Sequence, residues 1–338
     1  MNERKIKRNH LFDNIKGVML ILVVVGHTLD PYITDSNSMF RYIMQYIYLF
    51  HMPMFAFVTG YFSKNADKSR DGAVKKVLIP YLLIQTVYII VAEICIMVGL
   101  AKFNADVFRP SLLLPTSPLY YLLCVFLWKV FQKDLMKLRC PIIFAIISGV
   151  LISTISDEQF HIGVGATFSL LIFFVLGVKC TEEIIAKIRN MSKIIGVIIL
   201  VLGIIPAVFL PYNFRNVRYT YASVGLDAIT GIFYRLLFYM IAICMIVAII
   251  NLFPSKRTII SKIGEQSILV YAGSSFVAPT LYLLIARYVS LGTDSALNLL
   301  GIVLFSIIIT AFFAMSWIEN IYDKILKVIY KVIYKEST

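Results

Sequence analysis

Apolar residues in this chain run in long blocks separated by short polar stretches. About ten blocks approach the ~20 residues that an α-helix needs to cross a bilayer. They lie near 12–32, 40–62, 77–100, 112–130, 140–155, 162–179, 194–211, 229–250, 265–286 and 296–321, the fifth being short. The pattern predicts an all-α fold, a polytopic transmembrane helical bundle of about ten spans. The largest connections, near 63–76 and 211–228, are loop-sized. A single integral-membrane domain over 1–338 is therefore expected, with basic tails at 1–11 and 323–338, and no internal repeat is evident.

Composition agrees with the pattern. The chain is 59% hydrophobic and 15% charged, with a mean hydropathy of +0.84. A soluble domain of this length needs far less apolar surface. The net charge of +13 is a topology signal. Nucleic-acid binding would gather Lys and Arg on one folded face, whereas here they recur in clusters between apolar runs, so no nucleic-acid partner is expected. Basic stretches (Arg4, Lys5, Lys7, Arg8; Lys64, Lys68, Arg70, Lys75, Lys76; Lys129, Lys133, Lys137, Arg139; Lys179, Lys187, Arg189, Lys193; Lys256, Arg257, Lys262; Lys324, Lys327, Lys331, Lys335) alternate with loops holding little more than Lys102, Arg109, Arg215, Arg218 and Arg287. By the positive-inside rule both termini are cytoplasmic, which requires an even number of spans. Asp13 and Lys16 interrupt the start of the first apolar run and no small-residue cleavage site follows, so it reads as a span rather than a signal peptide. The five cysteines have neither metal-ligand spacing nor a disulfide-framework pattern.

Candidate chemistry concentrates in the first span and the phrase after it. RNHLFDNIKGVMLILVVVGHTLDPY places Asp13, Lys16, His27 and Asp30 in and around an apolar run. Ionisable residues inside a membrane are costly and mark functional sites by default. Lys16 and His27 are about three helical turns apart, so they share a face, with Asp13 one turn before and Asp30 one turn after. Such a stripe should face a bundle interior. FHMPMFAFVTGYFSK then brings His51 two residues before Pro53.

These two phrases resemble the integral-membrane acyltransferase-3 family, and within it the fucose 4-O-acetylase-like branch. FDNIKGVMLILVVVGH matches the family's first span, in which an Arg, ten residues and a His recur. The branch shares the Asp-Asn-x-Lys-Gly start, the Gly-His end and a following Phe-His-Met-Pro…Gly-Tyr-Phe phrase. PLYYLLCVFLW at Pro118–Trp128, GIFYRLLFY around Arg235 and IGEQSILVY at Ile263–Tyr271 are similar to later spans. Two departures stand out. The family's Arg is Lys16 here, which keeps the charge but loses planar, bidentate recognition. The late Ser-x-x-x-Tyr phrase is followed by Ser274 and Ser275 where many relatives have a His.

The resemblance implies transfer of an acyl group, by default acetyl from cytoplasmic acetyl-CoA, to a hydroxyl of a cell-envelope sugar. Capsule, exopolysaccharide, wall polymer and lipid-linked precursor are the acceptor classes, in the bacterial cytoplasmic membrane, with no metal. The reaction needs a base, oxyanion stabilisation and an anion-binding donor site. His27 suits the base, and Asp30 is placed either to orient its ring or to sit solvated at the helix end. Lys16, with Asp13 beside it, and Lys75 and Lys76 are candidates for the donor's phosphates; the bland readings are snorkelling and a topogenic loop. His51, Arg41, Arg235 and Glu93 are candidates for the acceptor site. His51 alternatively satisfies a carbonyl freed by Pro53, Arg41 faces headgroups, and Arg235 and Glu93 pair with each other. Tyr46, Tyr48, Tyr120 and Tyr121 are candidates for stacking on a sugar.

Two other classes remain open on sequence: a transporter or flippase of a polyprenyl-linked sugar, and a sensor or scaffold built on a decayed acyltransferase core. A flippase favours paired, interrupted half-spans. A decayed enzyme should lose the His27 phrase first, and it is intact.

Overall fold

The computed structural model describes residues 9–33, 38–97, 119–155, 164–210, 219–286 and 295–334, together with 112, 115 and 217. Arg4, Lys5, Lys7, Arg8, Lys102, Arg109, Arg215, Arg218, Arg287 and Lys335 lie outside the described residues. All regular structure among those described is helical.

The helices are α1 (Leu11–Leu29), α2 (Met39–Tyr48), α3 (His51–Tyr61), α4 (Ala66–Ala73), α5 (Ile79–Met97), α6 (Tyr120–Leu135), α7 (Pro141–Leu151), α8 (Ala166–Lys179), α9 (Glu182–Asn190), α10 (Lys193–Leu202), α11 (Ile204–Phe209), α12 (Ala228–Leu252), α13 (Ile259–Glu265), α14 (Ser267–Ala286), α15 (Ala296–Phe313) and α16 (Ser316–Ile333). Each of the ten predicted apolar blocks contains helix, but several are broken. Four helical segments among the described residues are long and apolar enough to cross a membrane unaided: Leu11–Tyr32, Ala66–Ile94, Ala228–Leu252 and Ala296–Phe313. A fifth is formed if Glu182–Asn190 and Lys193–Phe209, bent by 89°, count as one span. Several apolar helices of this kind describe a multi-pass membrane protein.

The helices pack as two units. The first comprises Met1–His51, Thr181–Leu210 and Ile241–Asp323. α1 is its central element: 72% of its apolar window is buried, against 22–44% for the other three long segments. α2, α13, α14 and α15 surround it. Val25 and Leu29 of α1 meet Phe40 and Ile47 of α2, Tyr282 of α14 and Ile302 of α15 in one core cluster. Where α1 crosses α13 the backbones nearly touch, because Gly17 and Gly264 present no side chain. A Cβ on Gly264 would lie 1.9 Å from the carbonyl oxygen of Asp13. The sharp α9–α10 bend is held by side chains of α12: Asn251 donates to the carbonyls of Ile188 (2.8 Å) and Met191 (3.0 Å).

The second unit comprises Met52–Cys180, Pro211–Met240 and Lys324–Thr338. α3 and α8 approach as closely through Gly60 and Gly177, as small residues allow between membrane helices. Trp128 of α6 stacks on Phe174 at 5.2 Å and donates its indole N–H to the Thr167 carbonyl at 3.0 Å, which satisfies its one polar atom.

Candidate functional site

α1 carries the predicted polar positions on one uninterrupted helix, with Asp13 in its first turn and His27 in its last. At 1.5 Å per residue, Lys16 and His27 stand about 16 Å apart along the same face.

The start of the helix is fixed by polar contacts. Asp13 is buried; one carboxylate oxygen lies 3.3 Å from the Lys16 ammonium and the other 3.3 Å from Nδ1 of His10. His10 is also 3.7 Å from Glu265, which pairs in turn with Arg257 at 3.3 Å. Asp13 therefore holds Lys16 in place, and it would act on an anionic ligand through that lysine. Potential ligand atoms of His10, Asp13 and Glu265 lie within 4.8 Å of one another. Lys16 and Arg257 already balance the two carboxylates, so the group reads as an ion-pair cluster rather than a metal centre.

Asn14 is the residue that sequence reasoning missed. Its amide donates to the carbonyls of Pro254 (2.8 Å) and Lys256 (2.9 Å), and its oxygen accepts from Thr258 (2.6 Å) and Ser261 (2.5 Å). Two donors and two acceptor lone pairs are all used. This buried amide clamps the segment leading into α13 onto α1, ahead of Lys16. The signal for it in the sequence is an Asn at the mouth of an apolar run.

At the other end of α1, His27 is half-buried and Asp30 exposed. Asp30 lies one turn on, where Pro31 opens a 3-10 turn over Asp30–Tyr32. Gly26, adjacent to His27, faces the Tyr48 ring so closely that a Cβ there would lie 2.8 Å from it. Tyr48 meets the His51 ring edge-on, with centroids 4.5 Å apart. The α2–α3 junction bearing His51 is thus brought against the turn bearing His27, with Tyr48 between.

His51 is buried, and its Nδ1 lies 3.0 Å from the Ile47 carbonyl oxygen. A carbonyl only accepts, so Nδ1 carries the proton in this contact. The Ile47 carbonyl is not the one that Pro53 deprives of its helical donor, which is that of Leu49, four residues before it. Arg41 is half-buried in the first turn of α2, whose N-terminus Ser38 caps by accepting from Phe40 N–H. Tyr46 donates to the Leu200 carbonyl at 2.9 Å, and Tyr121 is buried against Thr59 at 2.8 Å.

In the second unit, Lys75 and Lys76 are exposed on a π-helical turn, Val74–Leu78, that leads from α4 into α5. Such turns recur at functional sites. Lys75 lies over the rings of Tyr330 (4.9 Å) and Tyr334 (5.7 Å), and the Tyr330 hydroxyl donates to its carbonyl at 2.6 Å. The expected pairing of Arg235 with Glu93 is not found. Arg235 is 2% exposed, donates to Ser153 at 3.0 Å and lies over the Tyr221 ring at 5.9 Å. Glu93 is on the exposed side of α5, beside the exposed Ile90, Ile94 and Met97. A buried guanidinium can be accommodated by a hydroxyl and aromatic faces as well as by a carboxylate.

Comparison with known proteins places these positions in context. The acyltransferase domain family matches residues 9–318. Nodulation protein NolL of Sinorhizobium fredii (strain NBRC 101917 / NGR234) is 41% identical over 61 residues, 17% of this chain and 16% of the relative. Nodulation protein NolL of Mesorhizobium japonicum (strain LMG 29417 / CECT 9101 / MAFF 303099) is 40% identical over 62 residues, 18% and 16% respectively. The chain thus matches about one sixth of the length of these relatives. No solved structure matches it.

Proposed function

The chain belongs to the acyltransferase-3 family of multi-pass membrane proteins, and from that premise we propose that it transfers an acetyl group from acetyl-CoA to a hydroxyl of a cell-envelope sugar. The observation that carries this reading is α1: one largely buried helix with Lys16 and a half-buried His27 on a common face.

In this mechanism His27 accepts the proton of the sugar hydroxyl as its oxygen attacks the thioester carbonyl. The new C–O bond forms, the C–S bond breaks, and the imidazolium returns the proton to the departing thiolate. An imidazole with a pKa near the working pH can serve both steps. Asp30 orients the His27 ring and stabilises its charged form, the role a carboxylate plays in hydrolase triads. Lys16, held by Asp13, binds the donor's phosphates; Lys75 and Lys76 are candidates for the same role by their charge and exposure. The ~16 Å from Lys16 to His27 suits an extended CoA arm reaching along the helix. His51 and Arg41 contact the acceptor. Arg235 and Glu93 are weaker acceptor candidates, Arg235 because it is packed among Ser153 and Tyr221. The acceptor is a surface polysaccharide or its lipid-linked precursor, at the bacterial cytoplasmic membrane with both termini inside.

The transporter reading draws on one observation, the 89° break between Asn190 and Lys193, since discontinuous helices build transporter sites. One experiment separates the two. Ester-linked acetyl on the host's surface polysaccharide is measured by proton NMR before and after mild alkali, in a deletion strain complemented with wild type or His27→Ala. Acetyl restored by wild type alone, at equal protein level, supports transfer with His27 as base. Unchanged acetyl in the deletion, with polymer lost from the surface, overturns it in favour of export.

A further inference from the structure

The transfer chemistry makes no use of helix α16 itself, yet its sequence is sharply sorted. At about 100° per residue, Trp317, Ile321, Ile325, Val328 and Val332 fall on one stripe, and these side chains are 45–81% exposed. Lys324, Lys327 and Lys331 fall beside that stripe and are exposed. The third side of the helix faces protein: Leu326 is buried, and Tyr330 donates to the Lys75 carbonyl. The exposed apolar stripe is therefore not a packing face turned inward.

Its position says what covers it. α15, one of the four segments able to cross a membrane, ends at Phe313, and α16 begins at Ser316. α16 therefore starts at the membrane surface where that span ends. Trp317 packs edge-on against Phe312, in the last turn of α15, with ring centroids 5.7 Å apart. This holds an indole at the level where the span ends, the depth that tryptophan favours. A second copy of the chain is a poor occupant, because pairing like stripes would bring the two sets of lysines together.

We propose that α16 lies in the plane of the membrane surface, its stripe sunk among the acyl chains and Lys324, Lys327 and Lys331 bound to anionic phospholipid headgroups. Both halves of that geometry are what an interfacial helix requires: apolar area for insertion and cations at the headgroup boundary.

The chain has two tryptophans, so subtracting the emission of Trp317→Phe from that of wild type isolates Trp317. The purified full-length protein is placed in lipid nanodiscs whose phosphatidylcholine or phosphatidylglycerol is brominated at the headgroup end of the acyl chains. Trp317 should be strongly quenched by the bromolipid and weakly by aqueous iodide. Quenching by iodide alone, or by neither, overturns the insertion and points to water or to a protein partner. At equal mole fraction, brominated phosphatidylglycerol should act as if enriched about fivefold around Trp317, the factor one well-placed lysine supplies. The triple variant Lys324→Gln, Lys327→Gln, Lys331→Gln should abolish that preference while leaving quenching by brominated phosphatidylcholine in place. Equal quenching by the two lipids in wild type, or a preference that survives the triple variant, overturns the headgroup assignment.

Discussion

Replacing Gly264 by alanine probes the tightest contact around the candidate site. The added Cβ would lie 1.9 Å from the Asp13 carbonyl oxygen, 2.8 Å from its carbon and 2.9 Å from the Gly17 nitrogen. All three are backbone atoms, so no side chain can rotate away. α13 must retreat from α1 by more than about 1 Å before the contact becomes tolerable. Three bonds to Asn14, now 2.6, 2.8 and 2.9 Å, then stretch past hydrogen-bonding range. Leaving a buried amide without partners costs about 1–3 kcal/mol per group, so the loss should be about 3 kcal/mol or more. Thermal unfolding of the purified protein, followed by fluorescence in detergent, should show a midpoint lowered by several degrees. Asn14→Ala removes the same network without the clash, so the double variant should lose less than the sum of the singles. Gly72→Ala serves as control: its Cβ would be 3.5 Å from the Lys76 side chain, an ordinary contact, and its midpoint should hold or rise slightly. A Gly264→Ala protein as stable as wild type, or strict additivity with Asn14→Ala, would refute the clamp.

Other substitutions test the site directly. Lys16→Arg should retain activity, whereas Lys16→Ala should raise the apparent KM for acetyl-CoA about tenfold, the loss of one charge-assisted contact; an unchanged KM removes Lys16 from the donor site. His51→Asn keeps a donor for the Ile47 carbonyl but lacks Nε2, so it should preserve the unfolding midpoint and lower kcat; full activity would leave His51 a packing role alone. Arg235→Ala should cost about 2–4 kcal/mol of stability by emptying a filled, hydrogen-bonded position, measured as a drop in folded protein, and a variant with normal stability but lost turnover would move Arg235 into the acceptor site.

How much of this was legible beforehand varies by residue. The helical blocks, the shared face of Lys16 and His27, and the break near Pro53 all follow from local spacing, and α1 appears in the structure as a continuous helix. The pairing of Lys16 with Asp13 was readable too, because residues three apart on a helix are neighbours whatever surrounds them. The Arg235–Glu93 pair was not found because it joined two charges from different helices with no knowledge of which faces met. Span number was similarly hard to read, since an apolar block of the right length can hold two helices, as 40–62 does in α2 and α3.

Along the chain, then, the sequence by itself determined an all-helical membrane protein of a recognisable family, with its charged groups threaded onto the first helix. The tertiary structure alone decided that Asn14 clamps α13, that Tyr48 joins the turns of His27 and His51, that Arg235 meets Ser153 rather than Glu93, and that α16 leaves its apolar stripe uncovered. The division has one physical cause. Helical periodicity and transfer free energy act over a few neighbouring residues, whereas contacts between residues up to 255 positions apart depend on how closely two backbones can approach, and that is set by packing.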